Sequence, residues 1–465
     1  MFYNTLSLTL DTKALITHPI KSFVFRKRFM IIEGTRPGAI KVAPVLRHLD
    51  KLDIDYIFVW SGQHYDYEMS KVFFEQLNLS EPDIFLNIGM SAKDVSEQVT
   101  LLIQGITLQI KRFKPSFIYA LGDTNTILAA ALASAYTGTP FIHDEAGMRS
   151  FDTTMLEEIN RKVADAVASV RLAPTKFATV NLLYEGFSES SIWLVGSTAV
   201  DALMYVLNNG MLRNRILDEL NVEPMRYILV TLHRRENLEE VKLRKAISIL
   251  VGIAQRFHEF KFVFPIHPHT KKRLQELGLF DSLKRLNNII LSNPLGYLEF
   301  ITLLKNAHMV ITDSGGVQVE AFILGKRIVT VRPTTEWIET VLWGYNNLVS
   351  LDKPEEAIEI ATSLAHKPAL SPPDLTNCPV GDGNAGRRVA KILQKFIESD
   401  FKKQEINKLK VPVLTEEKIL SYFSLPVRLL LAKGDISNNL GNISSGILKE
   451  YLKVEWGNID KLIYT

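Results

Sequence analysis

The sequence predicts an α/β protein made of two Rossmann-like, doubly wound domains facing each other across a cleft. Short β-rich apolar runs recur along the chain, each followed by a longer stretch of helical period, the alternation that builds parallel sheets. The runs fall into two sets: 29–32, 56–60, 117–121, 141–145, 170–174 and 191–195, then 227–231, 262–266, 289–292, 309–312, 327–331 and 347–350. The residues able to do chemistry follow these runs directly, and open parallel sheets bind ligands beyond the carboxyl ends of their strands. On this reading residues 1–29 form an N-terminal arm or start-site extension, 30–200 the first domain, 201–395 the second, and 396–465 a polar, partly helical extension that serves as a surface or oligomer contact.

In the first domain, the opening strand runs into Gly34-Thr35-Arg36-Pro37-Gly38-Ala39-Ile40-Lys41. Pro37 suits the first turn of a helix, and the exposed amides there make an anion site together with Arg36 and Lys41. The third strand ends at Gly122-Asp123-Thr124-Asn125 and the fourth at His143-Asp144-Glu145. Three carboxylates at neighbouring strand ends are costly unless solvated, paired or used for proton transfer. Further on, Glu157 and Arg161 stand four residues apart on one face of a helical stretch, the ordinary spacing of a surface ion pair.

The second domain repeats the pattern. Its first strand leads into Leu232-His233-Arg234-Arg235-Glu236-Asn237, read as an anion site, and its second into His267-Pro268-His269, which lacks a third ligand for a metal. The most informative turn is Thr312-Asp313-Ser314-Gly315-Gly316-Val317-Gln318-Val319-Glu320. Ser314, Gly315 and Gly316 let a phosphate approach the backbone at a helix N-terminus, and Glu320, one turn in, can bond a ribose diol. With Arg36, these residues describe a nucleoside diphosphate held by amides and arginines, without a phosphate-binding lysine loop or a magnesium cage.

Composition narrows the partners. The 465 residues carry 54 Lys and Arg against 51 Asp and Glu, a net charge of +3, which argues against a protein that neutralises many nucleic-acid phosphates. No apolar stretch of about 18 residues or more occurs, so no membrane insertion is expected, and residues 1–29 show no leader pattern. The single cysteine, Cys378, reads as a spectator and excludes thiolate metal sites; a cytoplasmic location is the default. Asn442-Ile443-Ser444 fits a glycosylation acceptor, which matters only outside the cytoplasm.

Nine strings in order, GTRPGAIKVAPVL, SGQHYDYEMSKVFFEQL, LGDTNT, HDEAGMRSFD, LEEINR, LAPT, TLHRREN, DSGGVQVEA and GDGNAGRR, span about residues 30–395. In them the chain resembles the non-hydrolysing UDP-N-acetylglucosamine 2-epimerases, most closely archaeal members. The resemblance implies a B-type glycosyltransferase fold, a homodimer, a UDP-sugar substrate and a place in polysaccharide biosynthesis. It implies phosphate contacts at Arg36, His233, Ser314 and Gly315 and a ribose contact at Glu320. It also implies chemistry at Asp123, Glu145 and Glu157, supported by Lys41, Arg161 and His233. Gln63 and His64 match a region that forms a second, regulatory UDP-sugar site in some bacterial relatives. The chain departs from the family pattern at Gly38, where Glu is usual, and at Leu156, Ser197 and Val319.

The implied reaction also follows from the groups. Carbon 2 gives up its hydrogen readily only if the bond to UDP breaks as well. Elimination yields 2-acetamidoglucal and UDP; protonation from the other face and re-addition of UDP yield UDP-N-acetylmannosamine. Two faces call for two proton carriers, here Asp123 and Glu145, with Glu157 assisting and oriented by Arg161. No cofactor is expected, because the hydrogen leaves as a proton. The competing readings are a hydrolysing 2-epimerase releasing N-acetylmannosamine and UDP, a B-type glycosyltransferase, and an idle nucleotide-sugar-binding scaffold acting through 401–465. The acidic trio weighs against the last two.

Overall fold

A computed structural model describes residues 29–62, 74, 79–90, 92–398 and 453–464. Thirteen strands form its two sheets. They are β1 (Phe29–Glu33), β2 (Tyr56–Trp60), β3 (Ile84–Phe85), β4 (Ile118–Leu121), β5 (Phe141–Asp144), β6 (Val170–Ala173) and β7 (Ile192–Leu194), then β8 (Tyr227–Thr231), β9 (Lys261–Pro265), β10 (Ile289–Ser292), β11 (Met309–Thr312), β12 (Arg327–Thr330) and β13 (Asn346–Leu348). The first sheet has the order β3-β2-β1-β4-β5-β6-β7 and the second β10-β9-β8-β11-β12-β13. Both are the expected doubly wound parallel type, in which the order reverses beside the first strand. All twelve expected strands are present. The unforeseen one, β3, has two residues, too few to carry a periodic signal.

By contact, the described chain gathers into two compact units. One contains the residues up to 145, 160–172 and those from 389 of the helix Ala385–Glu398; the other contains 146–159, 173–388 and 453–464. Each has its own core. Alternate residues of the first strands, Met30, Ile32, Ile57, Val59, Ile118 and Ala120, pack with Ile106 and Ile127 from the helices. In the second unit Ile228, Val230, Phe262, Phe264, Met309 and Ile311 do the same against Ile247, Leu250 and Ile253. Strands buried on both faces read as unbroken apolar runs, which is why the sequence exposes them.

Register decides what emerges from the sheets. Leu121 on β4 pairs with Asp144 on β5, so Asp123 and Glu145 leave at the same end of adjacent strands. Thr231 on β8 pairs with Thr312 on β11, so His233 and Asp313 likewise emerge together. A one-residue slip would turn every one of these side chains to the other face.

The described end of the C-terminal extension packs onto its own chain. In the helix Trp456–Tyr464, Trp456 is buried and donates its indole N–H to the Cys378 carbonyl at 3.0 Å. The Arg388 guanidinium lies 4.6 Å from the Trp456 ring centre and bridges Asp460 at 2.7 Å and Asp382 at 2.8 Å. Lys176 donates to the Lys453 carbonyl. Trp456→Ala should lower the unfolding free energy by about 3–5 kcal/mol in urea denaturation, while Leu462→Ala, on the exposed face of the same helix, should stay within about 0.5 kcal/mol. Equal stability of the two variants would refute a folded clasp.

Candidate active site

The first unit holds five of the expected residues, Arg36, Lys41, Asp123, Glu145 and Arg161. Thr35 caps the helix Arg36–Lys51, its hydroxyl accepting the Gly38 N–H at 3.3 Å, and Arg36 stands half-buried at the helix start. From the next turn Lys41 reaches Glu145, Nζ to Oε2, at 2.7 Å. Burial opposes the Lys41 charge, but Glu145 and Asp123 outweigh it and raise the ammonium pKa. Lys41 therefore stays a cation.

Glu145 adopts a left-handed backbone conformation (φ 64°), which a non-glycine residue adopts only when its surroundings hold it there. Asp144 does so by accepting the Glu145 N–H at 2.8 Å, and its other oxygen accepts the Tyr119 hydroxyl at 2.6 Å. Burial pushes the Asp144 carboxyl up to about 7, against the pull of those donors. The turn is thus set by a buried acid that never reaches the surface.

Asp123 takes two donors from Arg161, Nη2 at 2.6 Å and Nε at 3.0 Å, and its backbone carbonyl accepts from Asn160 at 2.9 Å. Arg161 is buried, whereas the Asp123 side chain keeps 30% of its surface exposed. Beside it, His143 is fully buried with Nδ1 at 2.6 Å from Asp165 and Nε2 at 2.8 Å from the Gly122 carbonyl. Burial disfavours its charge, but Asp165 more than compensates and raises its pKa, and both ring nitrogens have an oxygen within hydrogen-bond distance. It pins the Gly122 turn (φ 97°) that delivers Asp123.

In the second unit Asp313 organises the turn after β8. Fully buried, it accepts the backbone N–H of His233 at 3.1 Å and of Arg234 at 3.0 Å, and the Asn237 side-chain amide at 3.0 Å. The His233 ring lies 3.6 Å from the same carboxylate with 46% of its side chain exposed, anchored at one edge and open at the other. Ser314 precedes the helix Gly315–Ile323 without capping it, so the first helical N–H groups are not taken by its hydroxyl. A Cβ on Gly315 would lie 2.1 Å from Glu336 Oε1, so a side chain there would have to displace that carboxyl, while a Cβ on Gly316 would meet open space. Glu336 itself is held by Arg234 and Arg332, each at 3.0 Å. Glu320 is half-buried near the buried Tyr297, whose hydroxyl pKa is raised by burial and by the Glu320 charge.

Glu157 sits half-buried in the first turn of the helix Leu156–Val167. The adjacent Glu158 is fully buried and accepts the N–H groups of Ser150 and Phe151 at 2.9 and 3.1 Å. His267 caps the helix Pro268–Glu276 by accepting the His269 N–H. Cys378 is buried with its thiol pushed up to about 12, which removes it as a nucleophile. Gln63 and His64, and Asn442 with its neighbours, lie outside the described residues. Sequence reasoning missed Glu33, Tyr119, Asp165 and Glu336 as parts of these sites. Glu33 alone had a local signal, an acid closing an apolar strand.

The family model described as UDP-N-acetylglucosamine 2-epimerase matches residues 47–394. The UDP-N-acetylglucosamine 2-epimerase of Methanocaldococcus jannaschii is 41% identical over 370 residues, 79% of this chain and 98% of its own. Its crystal structure in complex with UDP-GlcNAc and UDP superimposes with a TM-score of 0.73 at 40% identity, covering 79% of this chain and 99% of that one. A UDP-2,3-diacetamido-2,3-dideoxy-D-glucuronate 2-epimerase from Pseudomonas aeruginosa is 35% identical over 374 residues, 79% of this chain and all of its own. On the length and identity of these matches, the chain belongs to the UDP-N-acetylglucosamine 2-epimerase family.

Proposed function

We propose that the protein inverts carbon 2 of UDP-N-acetylglucosamine to give UDP-N-acetylmannosamine, by elimination and re-addition of UDP through 2-acetamidoglucal. The observation that carries this reading is the pair of carboxylates at the ends of adjacent strands, each on its own cation: Asp123 on Arg161 and Glu145 on Lys41. One takes the proton from carbon 2 while the bond from carbon 1 to the UDP oxygen breaks and the double bond forms. The other returns a proton to the opposite face of carbon 2, and UDP adds again at carbon 1. The two carboxylates differ in partner and in exposure, Asp123 keeping 30% of its side-chain surface and Glu145 9%, so each is a separate proton carrier.

Glu157 assists the proton carriers in this reading. Arg36, His233, Ser314, Gly315 and Gly316 take the diphosphate, with the half-exposed His233 ring and the uncapped helix start stabilising charge on departing UDP. Glu320 holds the ribose. The reading also makes the protein a homodimer of the cytoplasm, consistent with its resemblance and with one buried cysteine. No described helix is long and apolar enough to cross a membrane.

Incubation with UDP-N-acetylglucosamine in deuterated water should place deuterium at carbon 2 of a UDP-linked manno product. Release of free N-acetylmannosamine with UDP would make the enzyme a hydrolysing epimerase, and absence of exchange would reject both. Asp123→Asn and Glu145→Gln should each lower kcat by about 10²–10⁴-fold, the usual worth of a positioned acid or base, with UDP affinity nearly kept. Glu320→Ala should instead raise KM by about tenfold, the cost of about one charge-assisted hydrogen bond. If either carboxylate variant turns over at the wild-type rate, the proton-carrier assignment fails.

A further inference from the structure

Glu33 takes no part in the chemistry above, yet it is placed against it. It closes β1 with no exposed surface, and its Oε1 accepts the Leu121 N–H at 3.3 Å just before the Gly122-Asp123 turn. Its Oε2 has no hydrogen-bond partner. This carboxyl fills the room that a side chain at Gly38 would need: a Cβ there would lie 2.0 Å from Oε2 and 2.9 Å from Cδ. Gly38 stands in the first turn of the helix that also carries Lys41. A change at either position is felt at the other.

The groups whose charge Glu33 feels or affects come from each element packed around it: Lys41 from the helix Arg36–Lys51, Glu145 beyond β5, and Tyr119 on β4, which is bonded to Asp144. Asp123 and His143 nearby are neutralised by Arg161 and Asp165. Lys41 and Glu145 already balance each other. An ionised Glu33 would be a surplus buried anion competing for the same ammonium, and a buried charge without its own partner is costly.

We propose that Glu33 is a positioning residue of the reaction: a carboxylic acid lodged beside Gly38 that keeps its proton, so that Lys41 stays committed to Glu145 alone. The proposal rests on the reading of Glu145 as a proton carrier. Burial pushes the Glu33 carboxyl up to about 8, helped by the Glu145 charge and against the Leu121 and Gly34 N–H groups and Lys41. Above that pH it ionises, draws Lys41 off Glu145 and repels the Glu145 carboxylate.

The pH dependence of kcat, compared between wild type and Glu33→Gln, tests this. The wild type should lose about tenfold of kcat between pH 7 and 9, as a single ionisation near 8 requires, with KM little affected; the amide cannot ionise, so the variant should lack that decline. The same alkaline decline in both proteins overturns the proposal. Two measurements stand apart from the reaction. The infrared difference between wild type and Glu33→Gln should show a protonated carboxylic acid that titrates away near pH 8, and its absence at neutral pH overturns the proposal even if the enzyme's reaction is another. Gly38→Ala should lower Tm, and Glu33→Ala should suppress that loss in the double variant; independent, additive losses show that the two side chains do not share one space. A protonated Glu33 with no deuterium exchange in the substrate would instead fault the assignment of the reaction.

Discussion

Each group of side chains depends on one constraint: a carboxylate at the end of a buried parallel strand is tolerable only with a cation or several N–H donors of its own. Asp123 has Arg161, Glu145 has Lys41, and Asp313 has two backbone amides and the Asn237 side chain. Parallel strands buried on both faces leave the carboxyl ends as the places where polar groups can gather. Register then decides the grouping, since Leu121 opposite Asp144 and Thr231 opposite Thr312 bring the two turns of each sheet out side by side. The sheets supply position, and the ion pairs supply tolerance.

Behind the groups that face outward stands a layer that only orients them. Asp144 fixes the left-handed Glu145, His143 and Asp165 fix Gly122, and Asp313 fixes the backbone that carries His233. These supporting groups are buried more deeply than most of the groups they serve. Asp123 keeps 30% of its side-chain surface and His233 46%, whereas Asp165 and Asp313 keep none. Such rigid support lets a carboxylate meet a reacting atom without being reoriented at each turnover.

The strands were legible in the sequence because continuous apolar runs of four or five residues between polar helices have few other interpretations. The strand ends were legible because Asp123, Glu145, His233 and Ser314 each follow such a run. Partners distant in sequence were not. Helical spacing offered Glu157 as a neighbour of Arg161 but was silent on Asp123, 38 residues away, which takes two donors of that guanidinium. Arg234, read as an anion ligand, gives Nη2 to Glu336, 102 residues on. A period of 3.6 reports neighbours along one helix and nothing about what a crossover brings back. Likewise the +3 net charge could not show that Lys41 and Arg161 are already spent on acids.

The two sheets meet the same steric problem with opposite electrostatic results. In each, a glycine in the first turn of a helix leaves room for a buried glutamate: Gly38 for Glu33 and Gly315 for Glu336, where a Cβ would come within 2.0 and 2.1 Å of the carboxyl oxygen. A helix N-terminus favours a nearby anion, so the position alone would ionise both. What separates them is the supply of cations. Glu336 has an arginine 3.0 Å from each of its oxygens, Arg234 at one and Arg332 at the other. Glu33 has only backbone N–H groups, those of Leu121 and Gly34, and a claim on Lys41, which Glu145 already occupies at 2.7 Å. Glu336 therefore ties two arginines together, and Glu33 is an acid whose proton keeps a lysine free for Glu145.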